Sequence, residues 1–286
     1  MEIIQDIRQM QRRATELRAQ SRRIAVVPTM GALHDGHLAL VRMARQHADV
    51  VIVTLFVNPI QFGPHEDYAR YPRDWQGDLH KADAAGVDIL FAPSVEAMYP
   101  NGYQTYVVVT ELSRPLEGAM RPGHFRGVTT VVSKLFHLTC PHVAVFGQKD
   151  AQQALIIRRM VRDLNFDVDI LIHPIVREPD GLAMSSRNVY LSPQERAQAP
   201  VLYRALQWAE GQILSGERNP DRLIEGIRRI LAEAHLARID YVAVCDTERL
   251  DDVAELHPGQ EVLVALAVRF GSTRLLDNIL ITVPER

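Results

Sequence analysis

The sequence predicts an α/β fold, a doubly wound parallel sheet over residues 1–175 followed by a smaller C-terminal α+β domain over residues 176–286. Three observations carry this. Short, continuously apolar runs at residues 24–27 and 50–57 have the length and character of strands buried on both faces. Stretches with apolar residues at helical spacing separate such runs, and this βαβ alternation makes neighbouring strands parallel. Past about Asn188 the texture changes to helices followed by adjacent strands. With 47% hydrophobic and 23% charged residues the chain can bury a large core, and a net charge of −3 gives it no basic field for nucleic acid.

The elements follow in order. Polar and apolar alternation predicts an opening helix over residues 5–20, and the strand at 24–27 is expected to stop at Pro28. After a Gly-containing loop, Leu40, Met43, Ala44 and His47 recur at helical spacing ahead of the strand at 50–57. A helix near 75–85, a strand at 87–91, a helix near 128–138 and a strand at 142–146 come next. Ala154, Ile157, Val161 and Leu164 then share one helix face, and residues 168–172 form another strand. The second domain opens with helices near 200–214 and 220–234, which lead to strands at 241–245, 261–268 and 278–283. Cys140 and Cys245 lie too far apart for a close-spaced metal or redox motif, the N-terminus lacks the apolar core of a signal peptide, and no apolar run approaches the ~20 residues that span a bilayer. A cytoplasmic protein with no membrane partner is expected.

In a doubly wound sheet the ligand site lies outside the carboxyl ends of the strands, so the polar residues just after each strand are the candidates. The first such loop reads Pro28-Thr29-Met30-Gly31-Ala32-Leu33-His34-Asp35-Gly36-His37. A strand-to-helix turn of this kind presents unpaired backbone N–H groups and a positive helix end to an anion, and its imidazoles can donate to phosphate oxygens. After the strand at 142–146 comes Gly147-Gln148-Lys149-Asp150-Ala151-Gln152-Gln153, where Lys149 is suited to neutralise phosphate charge and Gly147 to admit a close backbone approach. Asp150 is read equally as a nucleotide contact and as an acidic residue favoured at a helix start. Ala183-Met184-Ser185-Ser186-Arg187-Asn188 combines a permanent cation with two hydroxyls, a set suited to a triphosphate.

The H-x-G-H element, His34 to His37, resembles the signature of the nucleotidyltransferase superfamily that includes class I aminoacyl-tRNA synthetases. The longer string PTMGALHDGH resembles the pantothenate synthetase family in particular, and the segments around Lys149 and Ser185 match further family motifs in the same order. The resemblance spans nearly the whole chain. It implies a Rossmann-like sheet and an enzyme that uses ATP to adenylate pantoate and passes the pantoyl group to β-alanine, giving pantothenate, a coenzyme A precursor, with release of pyrophosphate and AMP. In the family's G-x-K-D-x-Q-Q pattern the second position is often acidic, and here it is Gln148.

Residue by residue, the resemblance assigns catalytic roles to His34, His37, Lys149 and Arg187. It assigns nucleotide binding to Met30, Gly31, Ala32, Leu33, His34, Asp35, Gly36, His37, Gly147, Gln148, Lys149, Asp150, Val176, Met184, Ser185, Ser186 and Arg187. Gln61 and Gln153 fall to pantoate; two neutral amides hold a carboxylate without blunting its attack, as an Arg clamp would. Mg²⁺ is expected on the phosphates with no protein ligand named, and a homodimer is expected by analogy. Residues 63–73 are a candidate lid over the adenylate, and residues 121–127 are expected to shape the pocket. Rival readings are another small-molecule nucleotidyltransferase, which would want more cations near Gln61, a nucleotide-binding regulator without turnover, and a metal site built from His34, His37 and His47.

Overall fold

The computed structural model describes residues 1–285; Arg286, the last residue of the expected second domain, lies outside the described residues. The chain separates into two compact units, residues 1–148 with 152–174, and residues 149–151 with 175–286.

The first unit is built on a six-stranded sheet in the order β1-β4-β3-β2-β5-β6, with every pairing parallel. Its strands are β1 (Glu2–Ile4), β2 (Ile24–Thr29), β3 (Val50–Leu55), β4 (Ile89–Phe91), β5 (Val143–Gly147) and β6 (Asp169–His173). The helices of this stretch are α1 (Ile7–Ala19), α2 (Asp35–His47), α3 (Trp75–Ala84), α4 (Val95–Met98), α5 (Glu117–Met120), α6 (His124–Thr139) and α7 (Ala151–Asp163). Strand order reverses between β2 and β5, so the loops that leave these two strands flank the switch point, where such sheets bind ligands. Ala25, Val27, Val51, Val53, Leu90 and Val145 form one buried layer with Leu40, Val41 and Ala44 of α2, which is why the central strands read as unbroken apolar runs.

Two departures from the sequence expectation have clear physical reasons. Strand β2 does not stop at Pro28 but continues to Thr29, paired with β3 throughout. The Thr29 carbonyl and amide both face β3, through Phe56 N at 3.1 Å and Thr54 Oγ1 at 3.3 Å. The adjacent Pro28 nitrogen therefore faces β5, where the ladder has already ended at Val26, and its missing N–H removes no ladder bond. Strand β1 was not expected at all; three residues on a sheet edge, with Ile3 exposed and Ile4 buried, are too few to establish a period.

The second unit carries α8 (Pro193–Gln198), α9 (Val201–Leu214) and α10 (Pro220–Leu231), then the antiparallel strands β7 (Ala237–Asp246), β8 (Glu261–Phe270) and β9 (Thr273–Thr282). Leu202, Ala205, Leu206 and Ala209 of α9 and Leu223, Ile227 and Leu231 of α10 pack with Val264, Leu266 and Val268 of β8. Asn219 starts α10 by accepting from both Asp221 N and Arg222 N. At Gly226 a Cβ would come within 1.8 Å of the Trp208 ring, so glycine lets α10 close on α9. No helix among the described residues is long and apolar enough to cross a membrane.

Candidate active site

The loop that leaves β2 is held from beneath by α3. Asp78 of α3, buried to 2% exposure, accepts from Ala32 N at 2.9 Å and Leu33 N at 2.6 Å, while Lys81 Nζ donates to Leu33 O at 2.7 Å. Gly31 has φ +85°, and a Cβ there would lie 2.9 Å from Asp78 Oδ2, so the carboxylate and glycine fit as a pair. This corrects the expectation of unpaired loop amides: the N–H groups of Ala32 and Leu33 are spent on Asp78, and that of Gly31 reaches Thr29 Oγ1 at 3.3 Å.

The two histidines cap α2. His34 Nδ1 accepts from Gly36 N at 3.2 Å, and His37 Nδ1 accepts from His34 N at 3.3 Å, a capping box written with imidazoles. Both Nδ1 atoms act as acceptors, so donor and acceptor geometry assigns each ring proton to Nε2. The rings stand 4.1 Å apart, centroid to centroid. Met30, Asp35 and Gly36 belong to the same turn, and Gly147 and Gln148 follow β5 across the switch point.

After β3 the chain enters a short 3₁₀ turn, Pro59–Gln61, that buries Gln61. Asn58 Nδ2 donates to Gln61 Oε1 at 3.0 Å and to Gly127 O at 3.0 Å; Tyr99 donates its hydroxyl to Asn58 Oδ1 at 2.8 Å; and Gln61 Nε2 reaches Met30 Sδ at 3.2 Å. Helix α6 presses its Gly127 onto this turn so closely that a Cβ would lie 2.5 Å from Ile60 O.

Residues 121–127, expected only to shape the pocket, supply a second grip. Arg121 forms a two-pronged ion pair with Glu66, at 2.6 and 2.7 Å, and approaches His124 Nε2 at 3.1 Å, while His124 Nδ1 donates to Gln61 O at 2.9 Å. A ring that donates through Nδ1 to a carbonyl and accepts from a guanidinium is neutral. Burial, helped by the Arg121 charge, accordingly pulls the His124 pKa down to about 4, against the opposing hydrogen bond to Gln61 O and the carboxylates of Glu66 and Glu117. Burial raises the Glu66 carboxyl, but Arg121 outweighs it and the net shift is downward. Glu66 lies in the candidate lid, where Tyr68 and Tyr71 pack edge-on against Phe62 and Arg73 donates to Tyr68 O and Tyr71 O.

Of the paired glutamines on α7, Gln152 is a buried strut that accepts from Glu117 N and donates to Leu112 O and Pro115 O. Gln153 beside it is half-buried.

The second unit presents its own set. Residues 176–184 fold back as a tight ribbon in which Met184 N donates to Val176 O at 2.9 Å and Glu178 N to Leu182 O at 2.8 Å. Arg177, on this ribbon, makes a two-pronged pair with the buried Asp277 of β9 at 2.7 and 2.9 Å and stacks 3.8 Å over the Tyr203 ring. Ser185 then caps a 3₁₀ helix, Ser186–Tyr190, its Oγ accepting from Arg187 N at 3.3 Å. Lys149 Nζ lies 3.8 Å from Asp150, and its carbonyl accepts from Asn278 Nδ2 at 3.0 Å.

Sequence reasoning missed Asn58, Asp78, Tyr99 and the detail of Arg121 and His124. Asn58 lies in the loop that leaves β3 and meets the rule used for the other candidates. Asp78 and Tyr99 carry no local signal, because their value comes from burial against distant loops. Among the described residues no group of three or more His, Cys, Asp or Glu is arranged to hold a metal ion, so His34, His37 and His47 form no such site.

Residues 2–280 match the family model of pantoate-beta-alanine ligase. A pantothenate synthetase of Chloroherpeton thalassium is 57% identical over 279 residues, covering 97% of this chain and 98% of that one. The pantothenate synthetase of Thermotoga petrophila is 53% identical over 281 residues, 98% of this chain and all of its own. The crystal structure of pantothenate synthetase from Thermus thermophilus superposes with a TM-score of 0.90 at 47% identity, covering 99% of this chain and 100% of that one. That of the Francisella tularensis pantoate-beta-alanine ligase, complexed with beta-gamma ATP and beta-alanine, gives 0.80 at 34% identity, covering 98% and 97%.

Proposed function

The chain belongs to the pantoate-beta-alanine ligase family, and from that premise we propose how its residues divide the work. The reaction condenses pantoate with β-alanine at the expense of ATP, through a pantoyl adenylate. The pantoate carboxylate attacks the α-phosphorus and expels pyrophosphate; the β-alanine amine then attacks the acyl carbon and expels AMP. Neither step needs an enzyme nucleophile, so positioning and charge stabilisation supply the rate.

His34 and His37 are assigned to the phosphates, each donating through Nε2–H. Lys149, Ser185, Ser186 and Arg187 are assigned to the triphosphate, with Met30, Gly31, Ala32, Leu33, Asp35, Gly36, Gly147, Gln148, Asp150, Val176 and Met184 around the nucleotide. Because the amides of Ala32 and Leu33 are committed to Asp78, these two residues shape the loop and do not donate to phosphate from the backbone. Gln61 and Gln153 are assigned to pantoate. The carrying observation is that the Gln61 side chain bonds to uncharged groups, Asn58 and Met30, with a neutral His124 on its carbonyl and Arg121 neutralised by Glu66. A carboxylate bound there keeps its nucleophilicity, whereas a phosphate-bearing substrate would call for cations.

Mg²⁺ is assigned to the substrate side, carried in on the ATP phosphates. Residues 63–73, anchored by Glu66 on Arg121, are assigned to shielding the adenylate from water. A homodimer is inferred from the family, and a cytoplasmic location from two cysteines that both remain free thiols. The decisive experiment measures pyrophosphate release from Mg-ATP with pantoate alone, then AMP release on addition of β-alanine. Both should occur, and His37→Ala should suppress the first by roughly 100-fold or more; ATP binding with no pantoate-dependent pyrophosphate would overturn the assignment.

A further inference from the structure

We propose that Tyr99 is a positioning residue for pantoate, anchoring Asn58 so that its Nδ2 holds Gln61 Oε1 and keeps the Gln61 N–H turned to the substrate; the inference rests on the assignment of Gln61 to pantoate. The orientation can be deduced from a backbone atom outward. The Gly127 carbonyl can only accept, so the Asn58 atom 3.0 Å from it is Nδ2. That same nitrogen donates its other proton to Gln61 Oε1 at 3.0 Å. Asn58 Oδ1 then faces the Tyr99 hydroxyl at 2.8 Å, and the phenol is the donor. Gln61 Oε1 is thereby occupied, and the end turned away from Asn58 is Nε2, which lies 3.2 Å from the weakly accepting Met30 sulfur. An amide locked this way offers N–H and recognises an acceptor oxygen, a carboxylate or a hydroxyl lone pair.

Tyr99 matters because Asn58 is 1% exposed and water cannot replace the phenol. Without that donor the buried Oδ1 loses its partner, so the one Asn58 orientation that the Gly127 carbonyl permits is held less firmly and its grip on Gln61 Oε1 loosens. The Tyr99 ring is held independently of its hydroxyl by Phe56 at 6.1 Å and Tyr103 at 5.0 Å, so the oxygen can be removed without unpacking the ring.

The test is Tyr99→Phe in the full-length enzyme, by steady-state pyrophosphate release with pantoate and Mg-ATP varied separately. The expected result is a roughly tenfold rise in KM for pantoate with KM for ATP unchanged, the size of one buried hydrogen bond. Tyr103→Phe, which removes a hydroxyl from the neighbouring ring, should leave both constants alone. A loss confined to kcat, or a parallel rise in both KM values, would overturn the proposal, since a general loosening of the fold does not discriminate between substrates. Asn58→Asp gives a second reading: it sets an acceptor against Gly127 O and Gln61 Oε1, and should raise KM for pantoate at least as far. Gln61→Ala separates the two layers. If it leaves KM for pantoate unchanged, the assignment of Gln61 is wrong; if it raises KM while Tyr99→Phe and Asn58→Asp do not, only the positioning role falls.

Discussion

Each unit holds its signature loop with a buried aspartate, and the two do so differently. Asp78 grips the backbone of the His34–His37 loop itself, through the amides of Ala32 and Leu33. Asp277 grips a side chain, the Arg177 guanidinium, on the ribbon that leads to Ser185. A carboxylate bonded to main-chain amides dictates the path of the loop and has no replaceable partner. One bonded to a guanidinium fixes only the base of its ribbon, and both members of the pair can be exchanged together.

The largest expected effect tests that distinction. Asp277→Ala should cost about 3–5 kcal/mol in urea denaturation, because the mostly buried Arg177 guanidinium loses its two-pronged partner and keeps only Gly181 O and the Tyr203 ring, whereas the double replacement Asp277→Leu with Arg177→Met should recover most of the loss. No second substitution should rescue Asp78, and a rescuing one would erase the contrast. Next in size is the response to acid. His124 titrates near 4 when folded and near 6.5 when unfolded, so between those values the unfolded chain binds more protons. Its contribution is complete above about pH 6.5 and is lost progressively towards pH 4, of order 3 kcal/mol in all, and His124→Gln should flatten that part of the stability curve.

Asp78→Asn ranks third, at about 1–3 kcal/mol, since an amide supplies one acceptor oxygen for two backbone donors. Hydrogen exchange at Ala32 and Leu33 should accelerate, while exchange across residues 176–184 stays as it was. The smallest is Ser185→Ala, which removes a 3.3 Å cap and should cost about 1 kcal/mol or less in stability. A roughly tenfold or greater rise in KM for ATP would still be expected, and its absence would mean that the hydroxyl only caps.

The fold was legible where burial on two faces writes itself as an unbroken apolar run, as at Val51 to Val53, or where one helix face recurs, as at Ala154 and Ile157. Pro28 misled because a missing N–H interrupts a strand only if that N–H faces a partner, and pairing direction is not visible in a sequence. The candidates His34, His37, Gln61 and Lys149 stood out because loops after strands carry them, and Ser185 because it lies in a recognisable string. What those strings omit is their support. Asp78 and Tyr99 sit 45 and 41 residues from Leu33 and Asn58, the groups they hold, and no periodicity links them. The unpaired amides expected at the first loop were overruled for the same reason, since their partner lies on another element.

The caps that His34 and His37 place on α2 also set a regiochemistry. Each ring has one nitrogen engaged by the main chain and one that is not part of the cap, so a substituent added at Nε2 leaves the helix start intact, while one added at Nδ1 must first displace a backbone amide. Nitrogen-15 spectra of the two imidazoles should therefore show two matching Nε2–H tautomers, and the first turn of α2 should fray when acid converts either ring to its doubly protonated form.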